Sequence, residues 1–126
     1  MKLLIVDDSS IVRKVVKAVA DVLQMETEEA QDGIEALEVL SRSHKEIDLV
    51  LLDWNMPEMN GYDVLVEIKS NDNYKDIPVM MVTTEGQKSN IVAAVRAGAA
   101  NYLTKPFTVE ELETKIIECI GKDGDF

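Results

Sequence analysis

The stretch Leu49–Gly61, LVLLDWNMPEMNG, constrains the fold more than any other part of the chain. It opens with four apolar residues without polar alternation, which predicts a strand buried on both faces, as in a parallel sheet. Asp53 follows this strand, so its carboxylate is expected at the carboxyl edge of the sheet, where open α/β folds bind ligands. Pro57 and the pair Asn60-Gly61 predict a loop, with freedom for positive φ at that pair.

Composition limits the classes of protein to which the chain can belong. Its 126 residues predict one domain over 1–126 without an output domain, and 46% hydrophobic and 29% charged residues are ordinary globular values. No apolar run is long enough to span a membrane, and one cysteine cannot form an internal disulfide. The net charge of -11 disfavours nucleic-acid binding. We therefore expect a cytoplasmic protein without membrane insertion. We also expect it to be a monomer.

Other predicted strands also end in polar side chains. Each of these residues follows or closes an apolar or β-prone run: Asp7 and Asp8 after Leu3–Val6, Thr83 after Val79–Val82, and Lys105 after Tyr102–Thr104. With a weakly marked strand near 26–30, five strands alternate with five helical patterns, which predicts an α/β fold with a doubly wound parallel sheet. The polar strand ends are then expected at one edge.

The predicted cluster needs a cation. Carboxylates within about 5 Å of each other repel by roughly 3 kcal/mol per pair at an effective dielectric near 20. Oxygen ligands of this kind suit Mg²⁺ or Mn²⁺, and magnesium keeps coordination positions for a phosphate oxygen. Such a site favours phosphoryl transfer to a carboxylate, with Lys105 neutralising charge and Thr83 donating to a phosphate oxygen.

The segments LLIVDDSS, LLDWNMPEMNG, VMMVTTEG and NYLTKPF, in this order and spacing, resemble the receiver domain of two-component response regulators. The similarity covers essentially the whole chain and is strongest to single-domain chemotaxis regulators of the CheY type. It implies a flavodoxin-like, five-stranded sheet of order 2-1-3-4-5 with five helices. Asn60 and Thr84 depart from residues common in this family.

The resemblance also implies a role for each site residue. Asp53 would accept the phosphoryl group from a histidine kinase of the CheA type, and Thr83 and Lys105 would contact that group. The metal would be held by Asp7, Asp8, Asp53 and the backbone carbonyl of Asn55. The chain would then be no enzyme in the usual sense, although it would catalyse its own phosphorylation and dephosphorylation.

The same resemblance implies a switch and an output by contact. Phosphorylation adds roughly -1.5 to -2 charges at Asp53 and would draw Thr83 towards the phosphate, so that Tyr102 turns inward. The surface of the helix at Ser89–Ala97, the following strand and the last helix would bind the flagellar motor switch. Lys88 and Tyr102 would contact that partner. Asn55 and Glu85 would tune dephosphorylation, and a phosphatase would be a further partner.

The sequence leaves one alternative open and disfavours two others. The chain could be a phosphorelay intermediate that passes phosphate to a histidine phosphotransfer protein. A metal-dependent phosphatase with an aspartyl-phosphate intermediate would need its nucleophile on the first strand and a cap insertion, and neither is evident around Asp7. A flavin-binding electron carrier would need a phosphate loop where Asp7 and Asp8 would repel phosphate.

Overall fold

The computed structural model describes residues 1–84 and 88–121. In these ranges, parallel strands alternate with α-helices, as the sequence predicts. The strands are β1 Lys2–Val6, β2 Glu26–Ala30, β3 Leu49–Leu52, β4 Val79–Thr83 and β5 Asn101–Thr104; the helices are α1 Ser10–Val22, α2 Gly33–Ser43, α3 Gly61–Ser70, α4 Lys88–Arg96 and α5 Val109–Gly121. A short 3₁₀ helix, His44–Glu46, precedes β3.

The strands form one sheet in the order β2-β1-β3-β4-β5, which confirms the predicted fold class and order. Every pair is parallel, and the chain reverses its direction of travel across the sheet between β2 and β3. The register pairs Val6 with Leu52 at the ends of the two central strands. This reversal is the topological switch point at which doubly wound folds bind ligands.

Side chains alternate across the sheet and divide the core into two clusters. One face carries Leu4, Val50 and Met81 against α2, α3 and Ala94 of α4. The opposite face carries Leu3 and Leu51, among others, against α1 and α5. Because β1, β3 and β4 are covered on both faces, their unbroken apolar runs are explained by burial rather than by strand propensity alone.

Four of the described helices begin at polar capping residues, one of which is Thr108, whose hydroxyl accepts from the Glu111 N–H at the start of α5. The side chains of Ser9, Asp32 and Asn60 accept backbone N–H bonds at the starts of α1, α2 and α3. These caps place each helix start directly after the loop at the carboxyl edge of the sheet. No helix within residues 1–84 and 88–121 combines the length and apolar character needed to cross a membrane.

The loop after β3 differs in one respect from the sequence prediction. Asn60 has a φ of -72°, and the positive φ lies instead at Glu58, at 71°. Gly61 is needed for space, because a Cβ there would lie 1.9 Å from the backbone oxygen of Asp53. Its own N–H donates to the carbonyl of Trp54 at 2.7 Å, so the loop closes tightly under Asp53.

Candidate phosphoacceptor and metal site

Strand register brings the predicted acids together. Asp7 and Asp53 directly follow the paired strand ends, and their N–H groups continue the sheet by donating to Ala30 and Val6, at 3.1 and 3.0 Å. With Asp8, they offer carboxylate oxygens that all lie within 4.8 Å of one another. Asp7 and Asp53 are only 4% and 6% exposed, whereas Asp8 is exposed.

Lys105 lies between the two buried carboxylates. Its Nζ donates to Asp7 Oδ2 at 2.7 Å and to Asp53 Oδ2 at 3.3 Å. The backbone N–H of Lys105 donates to the Thr83 carbonyl at 2.9 Å, which ties the end of β5 to β4. A cis peptide bond joins Lys105 to Pro106. The lysine is thus held at the centre of the cluster, where it compensates negative charge.

The protonation equilibria reflect this crowding. Burial raises the pKa of Asp53 above its ordinary value, the charge of Lys105 opposes the rise, and the charge of Asp7 adds to it. Burial alone would lower the pKa of Lys105, but its bond to Asp7 and the charges of both aspartates raise it overall. A negative group at Asp53 is therefore costly without more positive charge nearby.

Asp7, Asp8 and Asp53 offer a set of ligands that fits a hard divalent cation. All of these donors are carboxylate oxygens, and one of the three carboxylates faces solvent, so a cation bound there would keep water ligands. One lysine beside three carboxylates leaves the cluster with net negative charge, which a divalent ion would balance. The residues therefore fit Mg²⁺ or Mn²⁺.

Two further residues lie beside Asp53. Thr83 is fully buried at the end of β4, and its hydroxyl hydrogen-bonds with the Asp53 carboxylate and lowers its pKa. The backbone N–H of Asn55 donates to Asp53 Oδ1 at 3.4 Å. The Asn55 side-chain amide reaches Thr84 Oγ1 at 3.5 Å, a contact between two loops that sequence reasoning did not identify.

The predicted partner-binding residues lie on β5 and at the start of α4. Tyr102 is half-buried in β5 and packs against the core cluster that contains Ala94. Lys88 is exposed at the first residue of α4. Glu85, predicted to tune dephosphorylation, lies outside the described residues.

Sequence reasoning missed Arg13, which lies on α1. Its Nη1 donates to the backbone oxygen of Asp7 at 2.6 Å, and its Nε donates to Glu29 Oε1 at 2.9 Å. The available signal was weak: α1 carries three basic residues, and nothing in their spacing distinguishes the one that turns back towards β1.

Comparison with known proteins agrees with this geometry. Residues 3–117 match the family model described as the response regulator receiver domain. Relatives include a chemotaxis protein CheY homolog of Campylobacter jejuni, 40% identical over 96% of this chain and 93% of the relative. Chemotaxis protein CheY1 of Helicobacter pylori is 43% identical over 96% of this chain and 98% of its own length.

Solved structures give the same result. Vibrio cholerae chemotaxis protein CheY4 matches with a TM-score of 0.80 and 32% identity, covering 94% of this chain and 97% of CheY4. The receiver domain of the Francisella response regulator 1452 matches with a TM-score of 0.86 and 25% identity, covering 97% and 98% of the two chains. Family model, relatives and structures coincide over nearly the whole chain. The chain therefore belongs to the response regulator receiver domains, and within them to the CheY type.

Proposed function

We propose that this chain accepts a phosphoryl group on Asp53 from a histidine kinase and signals by binding a partner protein. One observation carries the proposal: the buried Asp53 carboxylate lies 3.3 Å from Lys105 Nζ and shares an oxygen cluster with Asp7 and Asp8. A nucleophile, a fixed cation and potential metal ligands thus lie together. Phosphoryl transfer requires these groups, since its catalysis depends mainly on positioning and charge stabilisation.

In the proposed reaction, an Asp53 carboxylate oxygen attacks the phosphorus of a phosphohistidine. A phosphorus–oxygen bond forms, the phosphorus–nitrogen bond breaks, and the imidazole leaves with the bonding electron pair and takes up a proton. Lys105 would move its contact from the carboxylate to a phosphoryl oxygen, and the Thr83 hydroxyl would donate to another. Asp7, Asp8, Asp53 and the Asn55 carbonyl would hold Mg²⁺, which supplies charge neutralisation when bound.

The proposed signal passes through Thr83 and Tyr102 to the surface of α4, β5 and α5. The packing of α4 supports this route, because Ala94 is its one residue classed as buried, while Val92 and Val95 are 37% and 56% exposed. A helix held by so little apolar contact can shift at low cost. Two relatives are named as chemotaxis proteins, so the partner proposed for this surface, including Lys88, is the flagellar motor switch.

The phosphorylated state is proposed to be short-lived. Asn55 and Glu85 would place polar groups where water attacks the phosphorus, so the chain would assist its own dephosphorylation. Asn55 also contacts Thr84, which would limit the positions open to its amide. In this proposal the protein works in the cytoplasm as a monomer, and a separate phosphatase would shorten the signal further.

An exposed apolar surface favours the phosphorelay alternative as the second candidate. Ile11 is 73% exposed and Val15 is 40% exposed, and both line a groove with Lys105, Pro106 and Phe107. The groove thus adjoins the proposed phosphoacceptor. A helical histidine phosphotransfer protein could bury this surface while its histidine reaches Asp53.

Labelling with acetyl phosphate tests the proposed acceptor. In the presence of Mg²⁺, we expect one acid-stable, base-labile phosphoryl group per chain, lost in Asp53→Asn and kept in Asp63→Asn, which alters an exposed acid on α3. Labelling of Asp53→Asn at the level of the parent would refute the acceptor assignment. Sustained turnover of small phosphate esters would instead favour the phosphatase class. Pull-down of a histidine phosphotransfer protein without a motor protein would favour the phosphorelay.

A further inference from the structure

Arg13 makes an unusual pair of bonds for a basic residue on a surface helix. Its side chain is only 16% exposed, and its guanidinium joins a backbone oxygen of the Asp7–Asp8 peptide to the carboxylate of Glu29 on β2. Lys14, the next residue, is exposed. Burial of a guanidinium costs desolvation, and the bonds to the Asp7 carbonyl and to Glu29 compensate that cost, so the side chain is held in this position.

The bond to the Asp7 carbonyl constrains the backbone at the neighbouring acid. The Asp7–Asp8 peptide is planar, so fixing the carbonyl oxygen of Asp7 also fixes the N–H and the Cα of Asp8, to which its side chain is attached. The Asp7 carboxylate is held separately, by the Ser9 N–H at 2.8 Å and by Lys105 at 2.7 Å. Arg13 thereby extends the constraint from Asp7 to Asp8.

Asp8 needs this constraint more than its two neighbours. Its carboxylate is exposed, and it offers an oxygen within 4.8 Å of oxygens of the other two, a separation at which like charges repel. A loosened backbone would let Asp8 turn into solvent and relieve that repulsion. A binding site that is already assembled avoids this reorganisation when a cation arrives.

We propose that Arg13 is a positioning residue that holds the Asp7–Asp8 peptide so that three carboxylates stay within reach of one divalent cation, with Glu29 orienting the guanidinium. This inference rests on the proposed metal site. It assigns to α1 and β2 a role in metal affinity, although neither supplies a ligand.

The direction in which Mg²⁺ affinity changes distinguishes a positioning role of Arg13 from the effect of its charge. Arg13 is a cation close to a proposed cation site, so removing its charge alone should strengthen Mg²⁺ binding. Loss of positioning should weaken binding instead. Lys14→Met removes the same charge from the neighbouring residue without touching the Asp7 carbonyl, and it therefore measures the charge effect alone.

The test is a Mg²⁺ titration of the full chain, followed by the fluorescence of Trp54, the one tryptophan, which directly follows Asp53. We expect Arg13→Met to raise the Kd for Mg²⁺ about tenfold, the usual scale for groups that orient metal ligands. Arg13→Lys and Glu29→Gln should each raise it by roughly two- to threefold, because each keeps part of the arrangement. Lys14→Met should leave the Kd equal or slightly lower, and Asp8→Asn should abolish binding.

Thermal unfolding with chelator shows whether each variant is folded before the titrations are compared. A Kd for Arg13→Met at or below that of Lys14→Met would overturn the positioning role. Should Arg13→Met not fold, parent-like Kd values for both Arg13→Lys and Glu29→Gln would overturn it. Absence of Mg²⁺ binding in the parent would overturn the proposed metal site itself, a result distinct from equal binding by parent and variants.

Discussion

Helices α1 and α4 both begin near the carboxyl edge of the sheet, but they pack on opposite faces and are held very differently. Helix α1 buries Val16, Val19 and Ala20, begins at the Ser9 cap and is joined to β1 and β2 by Arg13. Helix α4 has nine residues, and Ala94 is the one among them that is buried. Asp7, Asp53 and Lys105 lie beside α1, the firmly held helix. Tyr102 packs against the core cluster that contains Ala94 of α4, the lightly held helix.

This contrast separates two requirements of the proposed phosphorylation switch. A phosphoryl acceptor must hold like charges at short range, which needs a rigid surround. A signalling surface must change when one group is added, which needs an element with little packing energy to lose. Thr83 joins the two sides, because it is buried beside Asp53 and lies in the strand next to Tyr102.

Two glycine substitutions are expected to cause the largest stability changes among the variants that test the contrast between the two regions. Gly61→Ala should destabilise the fold by about 3 kcal/mol or more and weaken Mg²⁺ binding, because the new methyl group would meet the Asp53 backbone at 1.9 Å. Gly98→Ala, in the turn after α4, should cost about 1–2 kcal/mol, since it combines a φ of 109° with contact to the flexible side chain of Lys69. Urea unfolding and Mg²⁺ titration measure both effects.

Equal losses of stability in the two glycine variants would contradict the contrast between a rigid surround of Asp53 and a loosely packed α4. Unchanged Mg²⁺ affinity in Gly61→Ala would show that the Asp53 loop shifts without disturbing the acids.

A change at Lys105 gives the next largest effect. Lys105→Met leaves the buried Asp7 and Asp53 without their shared cation, and we expect a loss of about 2 kcal/mol at neutral pH. Saturating Mg²⁺ should restore part of that loss, since the ion would replace the missing positive charge. Chemical unfolding with and without Mg²⁺ measures both values, with Lys115→Met, which removes a half-buried lysine paired with Glu118 on α5, as the matched control. Equal losses in the two variants would contradict the prediction.

The smallest effect concerns pH. The pKa of Asp53 is raised in the folded state, so its protonated form favours folding below the ordinary pKa of 3.8, and this stabilisation is lost as pH rises through the folded value. Asp53→Asn should therefore be more stable than the parent at pH 7, on the order of 1 kcal/mol. The gain should shrink as pH falls towards 3.8.

Unfolding curves from pH 4 to 8 in chelator test the pH prediction, with Asp63→Asn as the exposed control. If Asp53→Asn is less stable than the parent at pH 7, or if its gain in stability does not depend on pH, burial of the Asp53 charge is not the source of the stability difference.

Sequence patterns predicted the fold because its signals are local. Runs such as Leu49–Leu52 are apolar without alternation only where a strand is covered on both faces, and parallel register then aligns residues that directly follow strands. The meeting of Asp7, Asp53 and Lys105 follows from that alignment. Strand order came from family resemblance, since spacing alone does not determine which strands are neighbours.

The contacts that sequence reasoning missed depend on long side chains and on exact backbone paths. Arg13 could have pointed into solvent, as exposed Lys14 does, and only the fold shows that it reaches Asp7. The positive φ at Glu58 was assigned instead to Asn60-Gly61, because those residue types favour it. Gly61 is required there because the chain passes too close for any side chain, which no local pattern reveals.

The edge strand β2 has a consequence for how the protein behaves at high concentration. Its sequence, ETEEA, carries three glutamates in five residues, two of which are paired with Arg13, Lys2 and Arg42 from the same chain. An approaching strand from another molecule would meet these charged side chains beside a backbone edge that is otherwise open to hydrogen bonding. The acidity that made β2 hard to recognise as a strand therefore guards the sheet against growing by the addition of further copies.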